Sequence, residues 1–138
     1  MAGILANEGK TSFGNVYLKG TAQPDLYLGL FKNADQPAAT AVMTDITEAT
    51  APGSNGYARI ALADGDWTES GVTKGLFACA QKTFTCATLA WGDVTGYFIT
   101  TAATGTAGLL IAVEKYSDSP HSVQVGYSEK PTVSVQVS

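Results

Sequence analysis

The chain has 138 residues, enough for one domain around one core, and with 45% apolar but only 14% charged residues its surface must be built largely from Ser, Thr, Gly and Ala. The net charge of -4, the pI near 4.7 and the scattering of its 8 Lys and Arg exclude the clustered basic face that nucleic-acid binding needs. No apolar run is long enough to cross a bilayer as a helix, and the first ten residues lack a basic n-region and a signal-peptide core, so folding in a cytosol is expected.

Residues 1–24 are expected to form an N-terminal arm with a short helix, ahead of a β domain at 25–138. Ile4 and Leu5 are apolar residues on the arm, and the expectation is that they pack on another subunit. Over 7–19 a helix is predicted. Asn7 is a suitable N-cap, Glu8 complements the positive end of the dipole, and Phe13, Val16 and Tyr17 share a face. Gly9 and Gly14 oppose it by about 1 kcal/mol each.

At 26–31 a strand places Leu26, Leu28 and Leu30 on one face and Tyr27 and Phe31 on the other. Residues 32–55 carry Asn33, Asp35, Pro37, Pro52, Gly53 and Asn55, a turn-rich composition; loops of that length tend to be functional or to reach outside the domain. A strand follows at 57–62, a turn at 64–66 and a short extended segment from Trp67.

Residues 75–87 read as a hairpin, 76–80 running out and 83–86 running back. With Lys82 and Thr83 as its loop, Cys79 and Cys86 would stand opposite one another, about 4.5 to 5.5 Å apart at Cα, within reach of a disulfide. A cytosol favours two thiols, so both states stay open.

The dominant signal lies at 96–113. Tyr97, Ile99, Leu109, Ile111 and Val113 occupy one set of alternate positions and Phe98, Leu110 and Ala112 the other, around a linker at 103–106. Neither face is written for water, which puts this hairpin in the middle of a sheet. After a loop at 116–121, strands at 122–126 and 132–137 alternate apolar and polar, with Val133, Val135 and Val137 facing inward. Seven or eight short antiparallel strands with turns between them predict an all-β fold, a β-sandwich or jelly roll.

Few residues are arranged for chemistry. Gly9, Lys10 and Thr11 imitate the end of a phosphate-binding loop, but Ile4 stands where its first glycine belongs and no strand feeds it. His121, the only histidine, sits beside Ser119 and Ser122 on a proline-bearing loop and is expected to face solvent. Cys79, Cys86 and one histidine fall short of a zinc site, and Asp64 and Asp66 fit ordinary turn chemistry better than calcium. No catalytic, cofactor or metal residue is therefore assigned, and the protein is not expected to be an enzyme. Trp67 and Trp91 are expected in the core or at an interface. The candidate interface residues are Ile4, Leu5, Phe13, Tyr17, Trp67 and Trp91.

The order of segments carries a resemblance: NEG at 7–9, DLYLGLF at 25–31, DITEA at 45–49, GYARI at 56–60, Trp67, KTFT at 82–85, VTGYFI at 94–99, and 120–125. In that order the chain resembles small tailed-bacteriophage virion proteins, most closely head decoration or cement proteins. The resemblance implies a jelly-roll or related sandwich, commonly a homotrimer, on the capsid exterior at junctions between subunits of the major capsid protein. An uncharged surface suits such burial, because no isolated charge has to leave water. Two rival readings accompany it: a tail or fibre module that binds a host glycan through Trp67, Trp91 or Tyr97, and a small hydrolase around His121.

Overall fold

A computed structural model describes residues 3–137. In chain order the elements are β1 (Ile4–Leu5), α1 (Asn7–Lys19), β2 (Leu26–Phe31), β3 (Ile60–Leu62), β4 (Trp67–Glu69), β5 (Leu76–Cys79), β6 (Phe84–Thr85), β7 (Gly92–Val94), β8 (Gly96–Thr100), β9 (Leu110–Lys115), β10 (His121–Val123), β11 (Ser128–Glu129) and β12 (Ser134–Gln136), with 3-10 turns at Met43–Asp45 and Asp64–Asp66. The fold is all-β with one short helix, as the alternation predicts. Its described strands number twelve, more than the seven or eight expected, because several are two- or three-residue pieces whose pairing depends on distant partners.

The hairpin β8–β9 is central. The antiparallel sheet runs β1-β9-β8-β2-β3, and every residue of β8 is buried. On one face Leu28, Leu30, Tyr97, Ile99 and Ile111 pack against Tyr57, Phe84, Trp91, Val123 and Val135. Phe84, Val123 and Val135 belong to three smaller sheets ordered β11-β6, β10-β7 and β12-β5-β4, Trp91 directly precedes β7, and Tyr57 lies in the segment that leads into β3. On the other face Phe31, Phe98, Leu110 and Val113 pack against Ala6, Ala41, Met43 and Ile46. The linker is longer than expected, since β8 stops at Thr100 and β9 begins at Leu110 with a register shift beside Ile99.

Helix α1 spans the expected residues, but Ala6 rather than Asn7 is its N-cap and no side chain caps it. Glu8 turns aside to accept a hydrogen bond from Leu110 N–H at 2.8 Å. The expected cost of Gly9 has a structural reason: a Cβ there would lie 2.1 Å from the Ile111 carbonyl oxygen, so only glycine lets the helix cross β9 this closely.

Three expectations are corrected. The arm is folded back on its own sheet: Ile4 pairs with Val113 and Leu5 with Ala112, which satisfies the edge of β9 without a neighbour. Met1 and Ala2 of that arm lie outside the described residues. The segment 32–55 is likewise no outward arm, because its residues Ala41, Met43 and Ile46 form the cover of the second face. Finally, β5 and β6 are not a hairpin. Cys79 N–H bonds to Val133 O at 2.9 Å, Ala80 N–H to Asp66 O at 2.7 Å and Cys86 N–H to Tyr127 O at 2.9 Å, so distant partners outcompete the local turn. Cys79 therefore pairs with Trp67 instead of Cys86, and both cysteines are free. Two smaller differences accompany these: only Ile60–Leu62 of the strand expected at 57–62 is extended and paired, and Val137 is 39% exposed.

Candidate functional site

A cleft of about 330 Å³ opens between α1, the central sheet and the β12-β5-β4 sheet. Ile99, Ile111 and Val135 form its floor, and Phe13, Leu26, Trp67, Phe77 and Val137 its walls. Among the described residues the polar side chains of the lining are Gln23 and Asp64, joined to each other by Gln23 Nε2 donating to Asp64 Oδ1 at 3.1 Å. Phe13 continues along the helix into Tyr17, one turn on and 89% exposed, while Leu18, 85% exposed, lies about 140° round the helix from Phe13. Cleft and helix together present an apolar surface that the chain leaves uncovered.

The sequence candidates divide around this surface. Phe13, Tyr17 and Trp67 are brought to it. Leu5 is part of the chain's own core, and Ile4 is half-exposed on the edge strand. Trp91 is 2% exposed; its ring meets Tyr57 edge-on at 5.3 Å and its Nε1 donates to Asn55 O at 3.0 Å. Tyr97 is fully buried with its hydroxyl 2.6 Å from Glu114 Oε2, and burial followed by that hydrogen bond raises the phenol's pKa above its ordinary value. Of the three aromatics considered for stacking on a sugar, Trp67 alone reaches the surface.

The other polar candidates are engaged in the fold. Asp66 Oδ2 accepts from Lys82 Nζ and from Ala63 N–H, both at 2.8 Å, and these hydrogen bonds hold its carboxyl below the usual carboxylate range. Cys86 Sγ donates to Leu89 O at 3.0 Å, and burial pushes the Cys79 thiol up. His121 does not face solvent as a free loop residue. It opens β10 with Glu129 at one ring nitrogen and Asp118 at the other, and neither Ser119 nor Ser122 bonds to it.

A buried polar assembly escaped sequence reading. Arg59 donates Nε to Glu48 Oε1 at 2.9 Å and Nη2 to Glu48 Oε2 at 2.8 Å. It also donates to the carbonyls of Ala102 and Gly105, each at 2.8 Å, and lies 5.3 Å over the Phe98 ring. Tyr57 donates its hydroxyl to Glu48 Oε1 at 2.7 Å, and burial, then the Glu48 charge, keeps that phenol protonated. In a chain so poor in charge, an arginine inside an apolar stretch was the available signal.

Fold and site together define an all-β module that carries an apolar cleft beside an exposed helix. A family model described as podophage GP4 fiber I protein gp80 matches residues 6–128, and the chain belongs to that family. It is thus a structural protein of a phage virion. The virion class is the one expected, while the family carries a fibre description where the resemblance pointed to head decoration. Comparison with curated proteins gives no match.

Proposed function

We propose that this chain is a fibre-associated structural module of a podophage virion, seated by apolar contact through α1 and the adjoining cleft, with a mechanical rather than catalytic role. The observation that carries the proposal is the uncovered apolar surface of α1, with Phe13 and Tyr17 beside the cleft and Leu18 further round the helix, in a chain matched over 6–128 to a fibre family. Burying Leu18 alone would contribute about 1.5 to 3 kcal/mol to such a joint. The partner is another virion protein or a second copy. A homotrimer and contact with the major capsid protein are the two forms that the decoration reading would give it. Imaging of particles carrying a tagged copy tests this: density at the fibres supports the proposal, and density spread over the head shell replaces it with decoration.

A second reading, recognition of a host glycan, is favoured by one observation only, the placement of Trp67 beside Gln23 and Asp64. If Trp67→Ala left incorporation into particles intact but abolished adsorption to cells, that reading would displace the purely mechanical one.

A further inference from the structure

The turn at 117–120 joins β9 to β10 and brings three titratable side chains into line. His121 Nδ1 lies 2.7 Å from Glu129 Oε1 at the end of β11, and Nε2 lies 2.9 Å from Asp118 Oδ1 in the turn. Ionised carboxylates only accept hydrogen bonds, so both contacts can be made at once only when each ring nitrogen carries a proton. The ring also stacks on Tyr116, with centroids 4.5 Å apart and planes 19° apart.

We propose that His121 is a pH-operated latch: as the imidazolium it ties the 117–120 turn to β11, and on losing its proton it keeps Glu129 and releases Asp118. The asymmetry follows from burial. A neutral imidazole has one N–H to give, and the Glu129 side chain is 10% exposed whereas that of Asp118 is 78% exposed. Water replaces the histidine at Asp118 at little cost, but Glu129 would be left buried without its imidazole hydrogen-bond donor. The neutral ring is therefore the Nδ1–H tautomer.

Among the described residues no other charged group bonds to the ring. Across β7 its register partner is Val94, and across β6 the partner of Glu129 is Phe84. Asp93 stands opposite Ser122 and is exposed, and so is Lys130. The Tyr116 hydroxyl is buried without a hydrogen-bond partner among the described residues, and burial, then the Glu129 charge, keeps it protonated. Partial burial of the imidazole opposes its charge, but the hydrogen bonds to Glu129 and Asp118 outweigh this and hold its pKa above the ordinary value. A histidine raised in this way contributes stability fully below its unfolded pKa of about 6.5, and the contribution is lost as pH rises through the folded value.

Because the chain has 1 histidine, its ring resonances report on this site alone. The test is an NMR titration of the full chain, combined with amide exchange corrected for its intrinsic pH dependence. The expected result is a ring midpoint above about 6.5, an Nδ1–H tautomer on the alkaline side, and exchange at 118–121 that accelerates through the same midpoint while β11 stays protected. Asp118→Asn should abolish the pH dependence of that exchange without unfolding the chain, since Asp118 is exposed. A midpoint at or below the ordinary value, an Nε2–H tautomer, or an Asp118→Asn turn that still loosens with pH would each overturn the latch.

Discussion

The two faces of the central sheet are covered in different ways. Over Leu28, Leu30, Tyr97 and Ile99 the cover comes from three small sheets, whose backbone groups are satisfied by their own ladders. Over Phe31, Phe98 and Val113 the cover is an irregular segment whose main ladder contact is the bridge from Phe31 to Glu48. Such a segment has to satisfy its backbone through side chains. Asn33 serves both Asp45 O and Thr47 N–H at 2.8 Å, Gln36 accepts from Lys115 N–H at 2.6 Å, and Glu48 is clamped by Arg59. Stability is thereby spread over many contacts on the first face and concentrated in a few polar anchors on the second.

Arg59→Ala is the strongest test of that contrast. It leaves the half-buried Glu48 without its cation and frees two carbonyls of the 101–109 loop, so urea unfolding should show a loss of about 3 kcal/mol. A loss below about 1 kcal/mol would mean that the irregular cover is held by its apolar residues after all. Gln36→Ala comes next. It strands the Lys115 N–H at the edge of β9, and a destabilisation of about 1 to 3 kcal/mol is expected, with faster exchange of that amide.

On the sheet-covered face the same measurement should give less for a residue that is just as buried. Ile99→Val removes one methylene from the first face and is expected to cost about 0.5 to 1.5 kcal/mol. Smallest in stability are Tyr17→Ser and Leu18→Ser, both exposed and expected to shift unfolding by less than about 0.5 kcal/mol. Their effect should appear instead as reduced incorporation into particles. Normal incorporation of the double variant would remove the helix from the contact face.

Helix 7–19 and strand 26–31 were legible to the residue because each carries its own period and its own stop. Gly20 adopts the left-handed φ of 70° that ends the helix, and the apolar alternation of β2 is bounded by Pro24 and Asn33. The central hairpin was equally plain, since two apolar faces on one strand require cover on both sides. Of the candidate contact face, Phe13, Tyr17 and Trp67 were read from residue type, whereas Leu18 and the cleft itself were not. A cleft exists only once two sheets and a helix meet.

Local pattern alone therefore determined the all-β class, the helix, and which strands lie at the centre, because hydrophobic period is written in neighbouring residues. Tertiary structure decided everything that depends on distant partners: that 76–79 pairs with β4 and β12 instead of running back on 84–85, that Cys79 and Cys86 stay apart, and that 32–49 covers a face. It also decided the state of His121, which is set by two carboxylates, one of them 8 residues further along the chain. The physical reason is the same in each case. A two- or three-residue strand, a loop or a single ionisable ring has too little local preference of its own, and the free energy of contacts across the chain outweighs it.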